Sequence, residues 1–120
     1  MTDRTRLITH KGKQVLLVDL SHCSAAEAER VYRKLPEFVI TRPLGSVLIV
    51  SDFTGASFNE EALRVMKETA VFDKPYVKKS AVVGVECLPP EFYENLKRFS
   101  RREFSVFETR DEALAWLVKN

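Results

Sequence analysis

The chain has 120 residues, of which 45% are hydrophobic and 30% are charged, and its formal net charge is +2. This length is typical of a single domain with one core, and so small a charge gives no indication of binding to nucleic acid or to a membrane surface. No apolar run approaches the ~18 residues that a membrane span needs, and the polar first residues do not form a signal peptide.

The chain begins with a predicted hairpin followed by a helix. Residues 6–10 and 14–20 indicate two strands, which should be antiparallel because the connection between them is short. Ser24, with Glu27 three residues later, forms a capping box, in which each side chain satisfies a free backbone N–H at a helix start. Pro36 is expected to end this helix nearby.

A central strand and a second helix come next. Residues 47–50 are apolar without interruption, which is typical of a parallel strand covered on both faces. Ser57 and Glu60 have the spacing of another capping box, so the second helix is expected to begin at Ser57. Residues 80–85 indicate the fourth strand.

The last third of the chain predicts a third helix, an edge strand and a final helix. The third helix opens at Pro89–Pro90, the edge strand covers residues 104–107, and a capping box at Thr109 and Glu112 starts the final helix. The side chains expected to be buried by these two helices are Phe92, Leu96 and Phe99, then Ala113, Leu114, Trp116 and Leu117. Strands and helices alternate after the hairpin, so residues 1–120 are predicted to form one α/β domain. Its sheet should be mostly parallel with an antiparallel first strand.

Polar side chains gather where the predicted central strands end. The acidic residues at these ends are Asp19, Asp52 and Glu86, and the adjoining loops carry Ser21, His22, Cys23, Thr54 and Cys87. The carboxyl ends of parallel strands share one edge of a sheet, and α/β proteins bind their ligands there. The same residue types also cap strands and helices in proteins without a site, so residue type leaves both interpretations open.

The common catalytic and cofactor motifs are missing. The four glycines form neither a phosphate-binding loop nor a dinucleotide fingerprint, and no nucleophile elbow occurs. Cys23 and Cys87 have neither metal nor redox spacing, which favours reduced thiols in a cytoplasmic protein. We therefore predict no metal and no cofactor, and an enzyme is the least favoured class of function.

A basic cluster lies in and after the third helix: Lys97, Arg98, Arg101 and Arg102. It could bind an acidic partner, although such residues more often complement the negative end of the helix dipole and face solvent. No exposed aromatic residues are interleaved with it, so the cluster predicts no binding of nucleic acid.

Several segments carry a family resemblance: Gly12–Lys13, Asp19–Ser21, Ser51–Gly55 with Phe58, Lys74–Tyr76, Ala81–Gly84, Phe99, and the end from Phe107 through Trp116 and Leu117. Over nearly its whole length the chain resembles the STAS-type, SpoIIAA-like domains. These are related to bacterial anti-sigma-factor antagonists and, more distantly, to CRAL-TRIO lipid-binding domains. The resemblance implies a single-domain STAS-like α/β fold.

The resemblance also suggests a regulatory segment. The antagonists place a phosphorylatable Ser or Thr after an Asp and just before a Gly, and here Asp52-Phe53-Thr54-Gly55 matches that pattern, with Thr54 as the hydroxyl. A phosphate there could be held by a helix N-terminus, and its charge beside Asp52 could expel a partner. The predicted site therefore comprises Asp52, Thr54, Gly55 and Ser57, with Asp19 and Ser21 beside them.

The function expected from these observations is binding and regulation by contact with a protein. By resemblance alone, that partner would be a kinase or an anti-sigma-like protein, and a homodimer stays open. The alternative is a carrier of a small apolar or amphipathic ligand, which the CRAL-TRIO resemblance implies. A binding module needs an exposed complementary surface, whereas a carrier needs an internal cavity.

Overall fold

The computed structural model describes residues 4–119, and within them the chain forms one five-stranded sheet and four α-helices. The strands are β1 (Thr5–His10), β2 (Lys13–Asp19), β3 (Val47–Asp52), β4 (Val77–Val83) and β5 (Ser105–Phe107). The helices are α1 (Ala25–Val39), α2 (Glu60–Asp73), α3 (Pro90–Ser100) and α4 (Arg110–Leu117). Short 3-10 turns cover Lys74–Tyr76 and Val85–Cys87.

The sheet confirms the predicted topology. Strand order follows chain order from β1 to β5, with β1 antiparallel to β2 and every other neighbouring pair parallel. Each parallel connection therefore steps in the same direction across the sheet. Right-handed crossovers that all step one way place their helices on one face, and α1, α2 and α3 share that face. Within residues 4–119, no helix is both long enough and apolar enough to cross a bilayer.

Alternating side chains on the central strands build a core on each face of the sheet. Leu16, Val18 and Ile49 point into the larger core, under α1 to α3. Their neighbours Leu17 and Val50 point into the smaller core, under α4. Successive side chains of a strand face opposite sides, so both cores require an unbroken apolar run. This is why β2 and β3 show no polar alternation.

Helix α1 does not end near Pro36, as the sequence predicts, but continues to Val39 with the proline inside it. Proline lacks the N–H that would bond the carbonyl four residues earlier, which here belongs to Tyr32. The Thr69 hydroxyl of α2 donates to that Tyr32 oxygen at 2.9 Å, at a buried position. The neighbouring helix therefore satisfies the acceptor that Pro36 leaves free, and this hydrogen bond joins α1 to α2.

The predicted start of α2 at Ser57 is also wrong. The helix begins at Glu60, and its N-cap is Asn59, whose side-chain Oδ1 accepts a hydrogen bond from the Ala62 N–H at 2.8 Å. Asn is as good an N-cap as Ser, and here it lies one residue before the first helical turn. The predicted capping boxes at Ser24 and Thr109 do occupy the N-caps of α1 and α4.

Three further predictions need correction. The fourth strand spans Val77–Val83 rather than residues 80–85, because Gly84 adopts a left-handed conformation (φ 73°) that ends it. Phe99 is 59% exposed rather than buried in the core, and the Lys67 ammonium lies over its ring. Trp116 is only partly buried, at the margin of the smaller core, whereas Leu117 beside it is fully buried.

Candidate functional site

Two carboxylates meet where β2 and β3 end. Asp19 and Asp52 are register partners across these parallel strands, and both lie at the carboxyl edge of the sheet. The guanidinium of Arg110, the first residue of α4, lies between them. Its Nη2 is 2.8 Å from Asp19 Oδ1, and its Nε donates to Asp52 Oδ2 at 2.6 Å. One arginine therefore neutralises one of two adjacent negative charges.

Each aspartate also folds the loop that follows it. Asp19 Oδ1 accepts hydrogen bonds from the Ser21 N–H at 3.0 Å and from the Ser21 hydroxyl at 2.5 Å. Asp52 Oδ1 accepts from the Thr54 N–H at 3.0 Å. An aspartate that bonds the backbone two residues on forms an Asx-type turn, so the two strands end in equivalent turns. Backbone bonds join these turns, because the His22 N–H donates to the Thr54 carbonyl at 2.8 Å.

These contacts keep both carboxylates ionised. Burial of Asp19 raises its pKa, but hydrogen bonds from Ser21 and Arg110 outweigh that effect, so the pKa lies below its ordinary value. Burial likewise opposes the charged form of Asp52, whose side chain is almost fully buried, and hydrogen bonding by Thr54 and Arg110 again gives a net lowering of its pKa. The Arg110 pKa is raised, because the two carboxylates outweigh the cost of its partial burial.

Sequence reasoning missed both cations of this site. Arg110 follows the capping Thr109 and so places a positive charge at a helix N-terminus, where the dipole disfavours it. Asp111 and Glu112 in the same turn already supply negative charge there, so the sequence does not show that Arg110 contacts carboxylates elsewhere. Arg4 donates to the carbonyls of Asp19 and Ser21 at 3.1 and 3.0 Å, and nothing in its sequence context indicates this role.

The backbone of Thr54 and Gly55 is tightly enclosed, while both residues are exposed to solvent. A Cβ added to Gly84 would lie 2.6 Å from the Thr54 nitrogen, and one added to Gly55 would lie 2.3 Å from His22 Nδ1. The Gly55 N–H also donates to the Cys87 sulfur at 3.3 Å. Neighbouring loops thus hold the backbone of the exposed Thr54 on several sides.

The other predicted site residues have different positions. Ser57 is exposed, and its N–H donates to the Cys23 carbonyl at 2.9 Å, so it anchors its own loop rather than α2. Cys23 lies in the larger core, where burial raises the pKa of its thiol. Glu86 lies exposed on the turn after β4 instead of at a strand end, and it forms no ion pair within residues 4–119.

We call the resulting surface the rim, and it comprises Asp19, Ser21, Asp52, Thr54, Gly55 and Arg110. In the described part of the chain, no three His, Cys, Asp or Glu side chains converge in a way that could hold a metal ion. The position between the two aspartates, where a cation would be expected, is occupied by the Arg110 guanidinium. The rim is therefore a charged surface whose loops are held by hydrogen bonds.

Comparison of the chain with protein-family models, with curated proteins and with solved structures finds no match. The fold and the site together define a single-sheet α/β domain with a charged surface at the carboxyl edge of the sheet, and this surface includes the exposed Thr54.

Proposed function

We propose that this protein is a STAS-like binding module, that the rim contacts a protein partner, and that phosphorylation of Thr54 regulates this contact. The observation that carries the proposal is the position of Thr54. Its side chain is exposed, while its N–H is fixed by Asp52 Oδ1 and its carbonyl by the His22 N–H. An exposed threonine on an ordered turn next to a charge network suits a residue that reports its chemical state to a partner.

Phosphorylation would act through charge at this position. Asp19, Asp52 and Arg110 carry a formal charge of −1 together, and a phosphate on Thr54 would add nearly two negative charges. Helix α2 begins five residues beyond Gly55, at Glu60, so its N-terminus is not adjacent to Thr54. Within the rim, the guanidinium of Arg110 is the group of opposite sign, and the phosphate would compete for it with the two aspartates. The expected consequence is a more negative rim and a weaker hold on Arg110.

A carrier of an apolar ligand would need a cavity, and the one between the sheet and helices α1 to α3 is small. Its volume is about 40 Å³, which holds roughly three water molecules. Sites for small organic molecules usually have volumes of ≈ 300–1,000 Å³. This internal cavity therefore does not favour the carrier, and we place the contact with a protein partner at the rim. We also place the protein in the cytoplasm, since both cysteines are free thiols.

The proposal is tested by recovering partners from host cells with tagged parent protein and three variants. Thr54→Glu adds charge at the rim, Thr54→Ala removes the hydroxyl, and Thr9→Glu adds the same charge to an exposed site on the edge strand β1. We expect a polypeptide that is recovered with the parent, Thr54→Ala and Thr9→Glu but is lost with Thr54→Glu.

Two further measurements separate regulation from unfolding. Thermal melting should give similar midpoints for all four proteins, because Thr54 and Thr9 are both exposed. Phosphopeptide mapping of protein purified from the host should find phosphate on Thr54. Equal recovery of every polypeptide with all four proteins would eliminate the regulated contact.

A further inference from the structure

A second charged surface lies at the opposite edge of the sheet from the rim. A cleft of about 400 Å³ opens between the start of β4, the segment that joins α3 to β5, and the end of α4. Its charged lining residues are Lys74, Lys78, Lys79, Arg101, Arg102 and Glu103. Five cations and one carboxylate give this lining a formal charge of +4, although the whole chain carries only +2. Positive charge is thus concentrated in this cleft.

Carboxylates do not neutralise this cleft as they neutralise other basic side chains. Elsewhere Arg33, Arg64 and Lys97 pair with glutamates on the helix surfaces. Within residues 4–119, the exposed cations Lys74, Lys78 and Arg101 form no ion pair. Arg102 is the exception among the lining cations, because its guanidinium interacts electrostatically with the buried Asp73 carboxylate. A cleft that gathers unpaired charge of one sign focuses the field and attracts ligands of the opposite sign.

Two of the cations are held in place by hydrogen bonds. Arg102 donates to the Ala70 carbonyl at 3.2 Å and to the Ser80 hydroxyl. Lys79 Nζ donates to the carbonyls of Trp116 and Lys119, at 3.2 and 2.6 Å, at the end of α4. These two side chains add fixed positive charge beside the lining residues Lys74, Lys78 and Arg101.

The backbone at Arg101 points to the same cleft. Arg101 ends α3 in the left-handed conformation, with φ 55°, a position at which helices usually have glycine. A side chain strains the backbone here, as it also does at Lys11 and His22, which do not line the cleft. Arg101 is exposed, lines the cleft and has no carboxylate partner among the described residues. Its guanidinium is therefore available to a ligand in the cleft, and glycine in its place would fit the backbone.

We propose that this cleft binds a small phosphorylated molecule, with its phosphate between Lys74, Lys78 and Arg101. Arginine and lysine donors that converge from different segments match the several oxygens of a phosphate ester. The volume is that of a small-molecule site, and Trp116 offers an aromatic surface beside the charges. The inference does not depend on the rim, which lies at the other edge of the sheet.

The test uses inorganic pyrophosphate as the probe and the fluorescence of Trp116, the single tryptophan of the chain, as the signal. We expect a saturable change at low ionic strength that weakens as salt is added. Arg101→Gly removes a cation and relieves the backbone, so it should fold at least as well as the parent while weakening pyrophosphate binding by about tenfold. Lys34→Gln removes an exposed lysine on α1 and should leave binding unchanged.

Two results would overturn the proposal. One is the absence of a saturable fluorescence change with pyrophosphate, and the other is equal weakening of binding by Lys34→Gln and Arg101→Gly.

A further experiment identifies the source of the phosphate. Co-sedimentation with vesicles of phosphatidylcholine containing phosphatidic acid, abolished by pyrophosphate and by Arg101→Gly, would assign the ligand to a lipid headgroup. Binding of pyrophosphate without co-sedimentation would assign it to a soluble metabolite. Tighter binding to a single-stranded oligonucleotide, unaffected by Arg101→Gly, would also count against the cleft.

Discussion

Asp19 and Asp52 face each other across β2 and β3 at the carboxyl edge of the sheet, and Arg110 bonds to both carboxylates. Two like charges side by side would repel without that cation. The same aspartates also accept hydrogen bonds from the turns that follow them. The rim and the attachment of α4 to the sheet therefore depend on one another.

Arg110→Gln should destabilise the protein by ~1–3 kcal/mol near neutral pH, because two ionised carboxylates lose their shared partner. Both aspartates have folded pKa values below 3.8, so the stability they confer is present above that pH and is lost as the pH falls through the folded values. The difference in unfolding free energy between parent and variant, measured in urea, should become smaller below about pH 4. Arg64→Gln, which breaks exposed ion pairs on α2, should cost less than ~1 kcal/mol. A pH-independent difference for Arg110→Gln would show that the carboxylates are not its source.

Gly84→Ala should be far more costly than Gly45→Ala. Both glycines are left-handed, with φ of 73° and 65°, so alanine strains the backbone by ~1–2 kcal/mol at either position. A Cβ at Gly45 meets nothing within 4 Å, whereas one at Gly84 would lie 2.6 Å from the Thr54 nitrogen. Gly84→Ala must therefore also displace the Thr54 turn. The amide resonance of Thr54 in NMR spectra should then shift. Equal losses of unfolding free energy for the two variants would mean that the Thr54 turn can move at no cost in stability.

The start of α2 can be tested with two single variants. Asn59→Ala removes the side chain that accepts the Ala62 N–H, and it should cost ~1 kcal/mol. Ser57→Ala should change the free energy of unfolding by less than ~0.5 kcal/mol, because the Ser57 side chain caps nothing. The reverse order of effects would restore the capping box that the sequence predicts at Ser57.

The fold was largely predictable because its strongest signals are local. The unbroken apolar runs of β2 and β3 predict covered parallel strands, and the capping boxes at Ser24 and Thr109 predict two helix starts. The errors occur where a distant residue decides. Pro36 is a residue type that ordinarily ends a helix. It stays inside α1 because Thr69, thirty-seven positions from Tyr32, donates to the Tyr32 carbonyl that the proline leaves free.

The site was predictable in part for the same reason. Each strand-end aspartate could be placed from its own strand, and the parallel register brings Asp19 and Asp52 together. Arg110 lies fifty-eight positions from Asp52, and its neighbours reveal only an ill-matched helix charge. Burial was least predictable on short helices near the edges of the sheet, where periodicity does not show how far the core extends. Phe99 and Trp116 therefore have the expected spacing but not the expected burial.

Asp73 should make the protein less stable as the pH rises from about 4 to about 7. It is 1% exposed beside the internal cavity, its Oδ1 has no hydrogen-bond partner in the described part of the chain, and burial raises its pKa from 3.8 to about 7. A raised folded pKa confers stability below the unfolded value, and that stability is lost as the pH rises through about 7. Asp73→Asn should therefore flatten the decline in unfolding free energy between about pH 4 and pH 7. Identical pH profiles for parent and variant would show that another group causes the decline.

The bond between Thr69 and the Tyr32 carbonyl should be coupled energetically to Pro36. Thr69→Val keeps the shape of the side chain but leaves the buried carbonyl without a donor, so it should cost ~1–3 kcal/mol. In Pro36→Ala the new N–H can bond the same carbonyl along the helix. Adding Thr69→Val to that variant should then cost less, and a cycle of the four proteins in urea should give an interaction energy of ~1 kcal/mol. If the losses of unfolding free energy of the two single variants add to that of the double variant within ~0.5 kcal/mol, the two sites act independently. That result would contradict the idea that Thr69 compensates for Pro36.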